Sequence, residues 1–169
     1  MRPFLKWAGG KQKLLPQLLP LFPKSFRDYY EPFLGSGSVF LALKESGMIT
    51  SFSRLSDIND ELMRTWGSIR NFRDVLYLLR NYNPGNEEEY YEVRGRDTSS
   101  CSDAEIAARM IYLNKCCFNG LYRVNSSGRF NVPFGRTSSG NPPTLPTKDD
   151  LESISFATLN SDITCCSFE

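Results

Sequence analysis

The sequence predicts an α/β fold on three observations. A short β-prone segment, Arg27 to Glu31, runs through Pro32 into the small-residue loop Gly35-Ser36-Gly37-Ser38, and a helical apolar pattern resumes at Val39. A second β-prone segment, Phe52 to Ser56, closes on Asp57, 20 residues beyond Gly37. That order of strand, glycine loop, helix, strand and acid builds a ligand pocket at the end of a parallel sheet. The glycines let backbone approach a ligand, and the helix start offers free N–H groups.

The remaining elements follow in chain order. Lys11 to Leu21 carries a leucine-rich helical face, interrupted by Pro16 and ended near Pro20 and Pro23. Asp60 starts a helix to about Arg70, and a further helix covers roughly 71–80. Asn83-Pro84-Gly85-Asn86 is a turn, and Glu87 to Arg94 reads as helical. Ser102-Asp103 caps a helix from Ala104 to about Cys116, with Ile106, Met110 and Leu113 on one face. Val124 to Phe130 holds two extended pieces around a polar, glycine-containing turn, a plausible β-hairpin. Thr137 to Thr147 is a Pro/Gly-rich loop; Asp149 to Glu152 opens a short helix, and Phe156 to Leu159 is expected to be a strand.

With 169 residues, 40% of them hydrophobic and 23% charged, the chain suits one globular domain with a real core. No apolar run reaches the roughly 20 residues of a membrane span, and the first residues do not fit a secretory signal. The expectation is therefore a cytoplasmic protein. The five cysteines, Cys101, Cys116, Cys117, Cys165 and Cys166, are odd in number and include two adjacent pairs. They suit reduced, partly buried thiols better than a disulfide framework or a zinc knuckle. Histidine is missing altogether, which removes Ser-His-Asp and Cys-His catalysis and the usual zinc-enzyme ligand sets; no metal is expected.

Net charge is only +1, but residues 1–27 and 106–148 each contain six Lys/Arg and no acid. Two readings stand on charge alone: a segregated positive face of the kind phosphate backbones require, or ordinary solvation of the surface.

The glycine loop narrows the ligand. A dinucleotide fingerprint needs a third small residue where helix meets sheet, and this chain has Phe40 there. Gly9-Gly10-Lys11 lacks the upstream glycine and the following Ser/Thr of a phosphate loop. The pattern suits a ligand with adenosine and ribose but no phosphates, and S-adenosylmethionine is the obvious candidate. A nicotinamide-dependent dehydrogenase on the same type of loop is the competing reading; Phe40 and the missing histidine weigh against it.

Six further segments are more specific. They are Phe4-Leu5-Lys6-Trp7-Ala8-Gly9-Gly10-Lys11, Glu31 to Phe40, Asp57-Ile58-Asn59, Tyr112-Leu113-Asn114-Lys115, Phe118 to Arg123 and Gly128 to Arg136. In content and order the chain resembles the DNA adenine methylase family of adenine-specific N6 DNA methyltransferases (the D12 class). The resemblance implies a Rossmann-like S-adenosylmethionine-dependent methyltransferase fold with a helical and β-hairpin DNA-recognition insertion. Residues 1–58 and 150–169 would be parts of the α/β domain. Residues 59–149 would form the mostly helical target-recognition region, with its hairpin near 118–136.

It also implies roles, including those of a site-specific modification enzyme of the restriction–modification type. Trp7, Lys11, Phe33, Gly35, Ser36, Gly37, Asp57, Ile58 and Asp162 would bind S-adenosylmethionine, with Lys11 pairing its carboxylate and Asp57 its ribose hydroxyls. Lys6, Asn119, Leu121, Arg123, Pro133 and Arg136 fall where the family reads double-stranded DNA, at GATC or a related site. Arg123 could donate two parallel hydrogen bonds to guanine or make a structural ion pair, and both remain open. Lys115, Arg129 and Lys148 suit phosphates, while Leu121, Phe130 and Phe134 could equally be hairpin core. No membrane partner is implied, and a monomer is expected.

The family's Asp-Pro-Pro-Tyr, which accepts the hydrogens of the target amine and stacks on the flipped base, has no counterpart in the sequence. Asn141-Pro142-Pro143-Thr144 lies in a Gly/Pro-rich loop without an aromatic fourth residue and is rejected as a substitute. The expectation is an incomplete methyltransferase fold, cut before its remaining strands and so of marginal stability, with catalytic residues unknown. The alternative is an inactive remnant that binds DNA, S-adenosylmethionine or both.

Overall fold

The computed structural model describes residues 1–136 and 140–168. Thr137, at the start of the expected loop, lies outside the described residues with its two successors, as does Glu169. Three parallel strands, β1 (Tyr29–Glu31), β2 (Ser53–Asp57) and β3 (Ser161–Cys165), form a sheet in the order β1-β2-β3. Around it lie α1 (Leu15–Leu18), α2 (Ser38–Glu45), α3 (Asp60–Ser68), α4 (Phe72–Leu79), α5 (Glu87–Gly95), α6 (Asp103–Cys116) and α7 (Lys148–Ala157). No described helix is long and apolar enough to cross a membrane.

The sheet is one-sided among the described residues. Tyr29, Ser53 and Ser161 stand in register on the face that carries the helices, and Ser53 and Leu55 there are fully buried. Tyr30, Arg54 and Asp162 line up on the other face, where Tyr30 is 62% exposed. Parallel sheets are ordinarily covered on both faces.

The glycine loop is set by Trp66 of α3. Its indole N–H donates to the Gly35 carbonyl at 3.0 Å, and its ring lies under Gly37. Gly37 has φ +65°, and a Cβ there would sit 2.5 Å from the Trp66 ring. Phe40, the residue that disqualified a dinucleotide fingerprint, is completely buried between Tyr29 and Trp66 and fills the space between helix and sheet.

Helix starts obey the expected capping chemistry. Asn59 accepts from the Leu62 N–H at 2.9 Å, and Ser102 and Glu105 form a capping box at α6. A second capping box, Thr147 with Asp150, opens α7 at Lys148, one residue before the expected start at Asp149. The core is one continuous cluster from Phe4 and Leu5 through Trp66 and α6 to Leu151 and Ile154. It runs across residue 58 without a break in packing. All five cysteines are free; Cys116 and Cys117 are buried, Cys165 and Cys166 exposed.

The strand expected at Phe156–Leu159 is not one. Residues 156 and 157 finish α7 and 158–160 form a turn, with Phe156 77% and Leu159 61% exposed. Leu151, Ile154, Ser155, Ala157 and Thr158 are the buried positions, a helical spacing that a four-residue window reads as β. The strand begins at Ser161, and Arg70 ties the turn to it by donating to the carbonyls of Thr158 and Ser161.

The Gly37 geometry has a measurable consequence. Gly37→Ala must meet both a left-handed backbone and the Trp66 ring, so its urea midpoint should report a loss of about 2–4 kcal/mol. Gly47→Ala, with φ +68° and open space around it, should lose only about 1 kcal/mol. Equal losses would show that the loop does not depend on the Trp66 contact.

Candidate functional site

A cavity of about 710 Å³ opens at the carboxyl ends of β1 and β2, where loops gather in an open α/β sheet. Trp7, Lys11, Phe33, Gly35, Ser36 and Asp57 line it together with Tyr30, Glu31 and Ser38. Asp57 is held at the end of β2 by two backbone donors: Gly35 N–H to one carboxylate oxygen at 3.0 Å and Asn59 N–H to the other at 3.2 Å. Trp7 lies so near the loop that a Cβ on Gly35 would come within 2.8 Å of its ring. Lys11 donates to the Gly9 carbonyl at 2.7 Å at the cavity's edge.

Three of the expected cofactor residues lie elsewhere. Gly37 sits behind the wall, against Trp66. Ile58 is 77% exposed beyond Asp57. Asp162 is at the beginning of β3 on the bare sheet face, where register sets it opposite Arg54 in an ion pair of 3.3 Å. It is thus half a strand away from the carboxyl end where the cavity opens, because the strand starts later than Phe156–Leu159.

Glu31 received no role from the sequence, yet its carboxylate enters the cavity. It accepts from the Tyr29 hydroxyl at 2.9 Å. Burial pushes its pKa up to about 7, against the lowering effects of the Tyr29 bond, the Phe40 backbone and the Lys11 charge. Burial, and then Glu31 itself, holds the Tyr29 phenol well above its usual range.

The hairpin exists with one ladder bridge, Val124 to Phe130, closed by Asn125 N–H to the Arg129 carbonyl at 2.9 Å. Lys6, Asn119, Leu121, Arg123, Pro133 and Arg136 are all exposed. Lys6, Asn119, Leu121 and Pro133 come together: Phe118 N–H donates to the Pro133 carbonyl, and the Lys6 stem lies on Gly120. Arg136 stands apart, paired with Glu87 at 3.1 Å.

Arg123 donates through Nε to Asn131 Oδ1 at 2.8 Å and has no carboxylate partner among the described residues, which removes the ion-pair reading. Phe130 is buried against Tyr122 and Phe134 packs on Tyr90, so both are hairpin core. Lys148 is occupied by Glu152 at 3.0 Å. Lys115 has its pKa lowered, first by burial and then by Lys6 beside it.

Tyr122 was also missed. Its ring stacks on Trp7 at 5.1 Å between centroids, and its hydroxyl donates to Glu61 at 2.9 Å. The signal was present: in an extended Leu121-Tyr122-Arg123, a middle residue points opposite its neighbours.

A family model described as D12 class N6 adenine-specific DNA methyltransferase matches residues 7–169. The chain is 37% identical over 169 residues to the Type II methyltransferase M1.LlaDCHI of Lactococcus lactis subsp. cremoris, covering 96% of this chain and 57% of that protein. It is 36% identical over 186 residues to the Type II methyltransferase M.MjaIII of Methanocaldococcus jannaschii, covering 100% of this chain and 63% of the relative. With the DNA adenine methylase of Haemophilus influenzae the identity is 32% over 175 residues, covering 99% and 57%. The chain thus spans about three fifths of the length of these relatives.

The Glu31 carboxyl gives a pH test. The folded chain holds this proton more tightly than the unfolded one. Its contribution to stability is therefore full below the ordinary value of 4.5 and is lost as pH rises through about 7. Glu31→Gln should melt close to the unsubstituted protein at pH 5 and roughly 3–6 °C above it at pH 8. A pH-independent difference in melting temperature would refute the assignment.

Proposed function

The chain belongs to the D12 class of N6 adenine-specific DNA methyltransferases, and from that premise we propose that it binds S-adenosylmethionine and methylates N6 of adenine in duplex DNA at GATC or a related site. The observation that carries the cofactor reading is the charge arrangement of the cavity. Asp57 is oriented by two backbone N–H groups and keeps lone pairs for a ribose diol. Lys11 supplies a cation for a carboxylate, and Glu31 a half-buried acid for an ammonium group, while Trp7 and Phe33 offer apolar surface. A zwitterionic amino acid joined to a nucleoside fits that set; a phosphate-bearing dinucleotide does not. When bound, S-adenosylmethionine supplies an electrophilic methyl group on sulfonium.

For DNA, Lys6, Asn119, Leu121, Pro133 and Arg123 form the reading surface, with Arg123's free guanidinium edge turned outward for a guanine. Residues 1–58 and 150–169 serve the α/β part and residues 59–149 the recognition part, in a monomer acting in the cytoplasm. The adenine amine's lone pair is delocalised into its ring, so transfer needs acceptors for its hydrogens and a flipped base. No residue of this chain is assigned that step. A second reading is binding of DNA, S-adenosylmethionine or both without transfer.

Radiolabelled S-adenosylmethionine with a GATC duplex separates the two. Label in DNA, with protection from a nuclease blocked by GATC methylation, supports the enzyme; a mobility shift without label supports the binding module. Absence of both refutes the proposal. Arg123→Ala should weaken binding to the GATC duplex by roughly 5- to 150-fold relative to a scrambled duplex. Lys148→Ala should change it by less than about twofold, since that cation is already paired on the surface.

A further inference from the structure

Tyr122, on the hairpin, lies behind the cofactor cavity and joins Trp7 of its lining to Glu61 of α3. Its ring stacks on Trp7 with 29° between planes, and Trp7 in turn abuts Gly35. Its hydroxyl donates to Glu61 in the first turn of α3, four residues after Asp57. Glu61 does not move freely. Its other oxygen accepts from Arg109 at 2.8 Å, and Arg109 is buried and also donates to the carbonyls of Val93 and Arg94. On either side of Tyr122 in the chain, Leu121 and Arg123 are exposed with the DNA-reading set.

Resting on the reading above, we propose that Tyr122 is a positioning residue that couples the cofactor pocket to the DNA-reading hairpin. It touches neither ligand. A ligand pressed against Trp7 fixes the plane of the indole, and the stacked phenol passes that constraint to Leu121 and Arg123 one residue away. The Glu61 bond keeps the phenol from rotating out of the stack. By linkage the effect is reciprocal: whatever factor the cofactor adds to DNA affinity, DNA adds to cofactor affinity.

The test is a thermodynamic cycle on the full chain, with S-adenosylhomocysteine as the non-reactive probe. Affinity for a GATC duplex is measured with and without probe, and affinity for probe with and without duplex. The unsubstituted chain should show a coupling of about 5- to 50-fold, equal in both directions. Tyr122→Phe, which keeps the ring but loses the Glu61 bond, should lower it at least threefold, and Tyr122→Leu should bring it within about twofold of unity while each ligand still binds alone.

Full coupling in Tyr122→Leu, or no coupling in the unsubstituted chain, overturns the proposal. Should Tyr122→Leu fail to fold, Glu61→Gln takes its place, and the coupling should drop at least threefold; an unchanged factor overturns it. Failure of the unsubstituted chain to bind probe or duplex at all is a distinct outcome that overturns the functional reading itself.

Discussion

Asn114 stands on the apolar helix α6 with 1% of its surface exposed, yet its amide is fully engaged. Its oxygen accepts from the Lys6 N–H at 2.8 Å, and its nitrogen donates to the carbonyls of Lys6 at 2.7 Å and Gly120 at 3.3 Å. A buried amide without partners costs about 1–3 kcal/mol, so the site holds only while both segments stay docked. One segment is the approach to Trp7 and the proposed cofactor cavity; the other is the base of the proposed recognition hairpin. The Trp7–Tyr122 stack, the seat of Lys6 over Gly120 and the exposure of Asn119 follow from this clamp. Remove it and the two functional surfaces lose their common reference.

A second constraint acts from behind the sheet. With one face bare among the described residues, β1, β2 and β3 are held chiefly from the helical side, by Phe40, Leu55 and Trp66 and by Arg70 bridging the α7 turn to β3. The Arg54–Asp162 pair on the open face adds little, since exposed ion pairs contribute about 0–1 kcal/mol. Trp66 therefore has two tasks that cannot be separated. It fills the core beneath α2, and it fixes the carbonyl of Gly35 so that the N–H of the same residue can meet Asp57. Packing and ligand geometry are set by one side chain.

Much of this was legible in the residues. The strand, glycine loop, helix and acid were read from spacing, and the start of α3 and the cap of α6 from residue type. Of the proposed cofactor set, Trp7, Lys11, Phe33, Gly35, Ser36 and Asp57 do converge, because they belong to segments whose local geometry is encoded locally. Asp162 stands apart from that group because its position depends on strand register, and register depends on where α7 stops. That stop is decided by burial of Thr158 and the Arg70 bridge, neither visible in a short window. Glu31 and Tyr122 were passed over for a different reason. Each lay inside a motif already assigned, and each works by what it touches 30 or more residues away or through a burial that the chain order does not disclose.

The charge pattern illustrates what the fold adds. The sequence left the two acid-free basic blocks undecided between a binding face and a solvated surface. The structure divides them residue by residue. Lys148 and Arg136 pair with acids, and Arg109 is consumed by Glu61 and two carbonyls. Lys6, from the first block, instead lies beside Lys115, from the second, close enough to lower its pKa. The Asn114 clamp fixes the Lys6 backbone, so the two cations cannot simply drift apart. Such enforced proximity costs the folded chain some self-repulsion, partly offset by Asp150. A polyanion laid across that surface relieves the rest, and the apolar Leu121 and Pro133 next to these cations give it something other than charge to meet. The proposed duplex would supply such a polyanion.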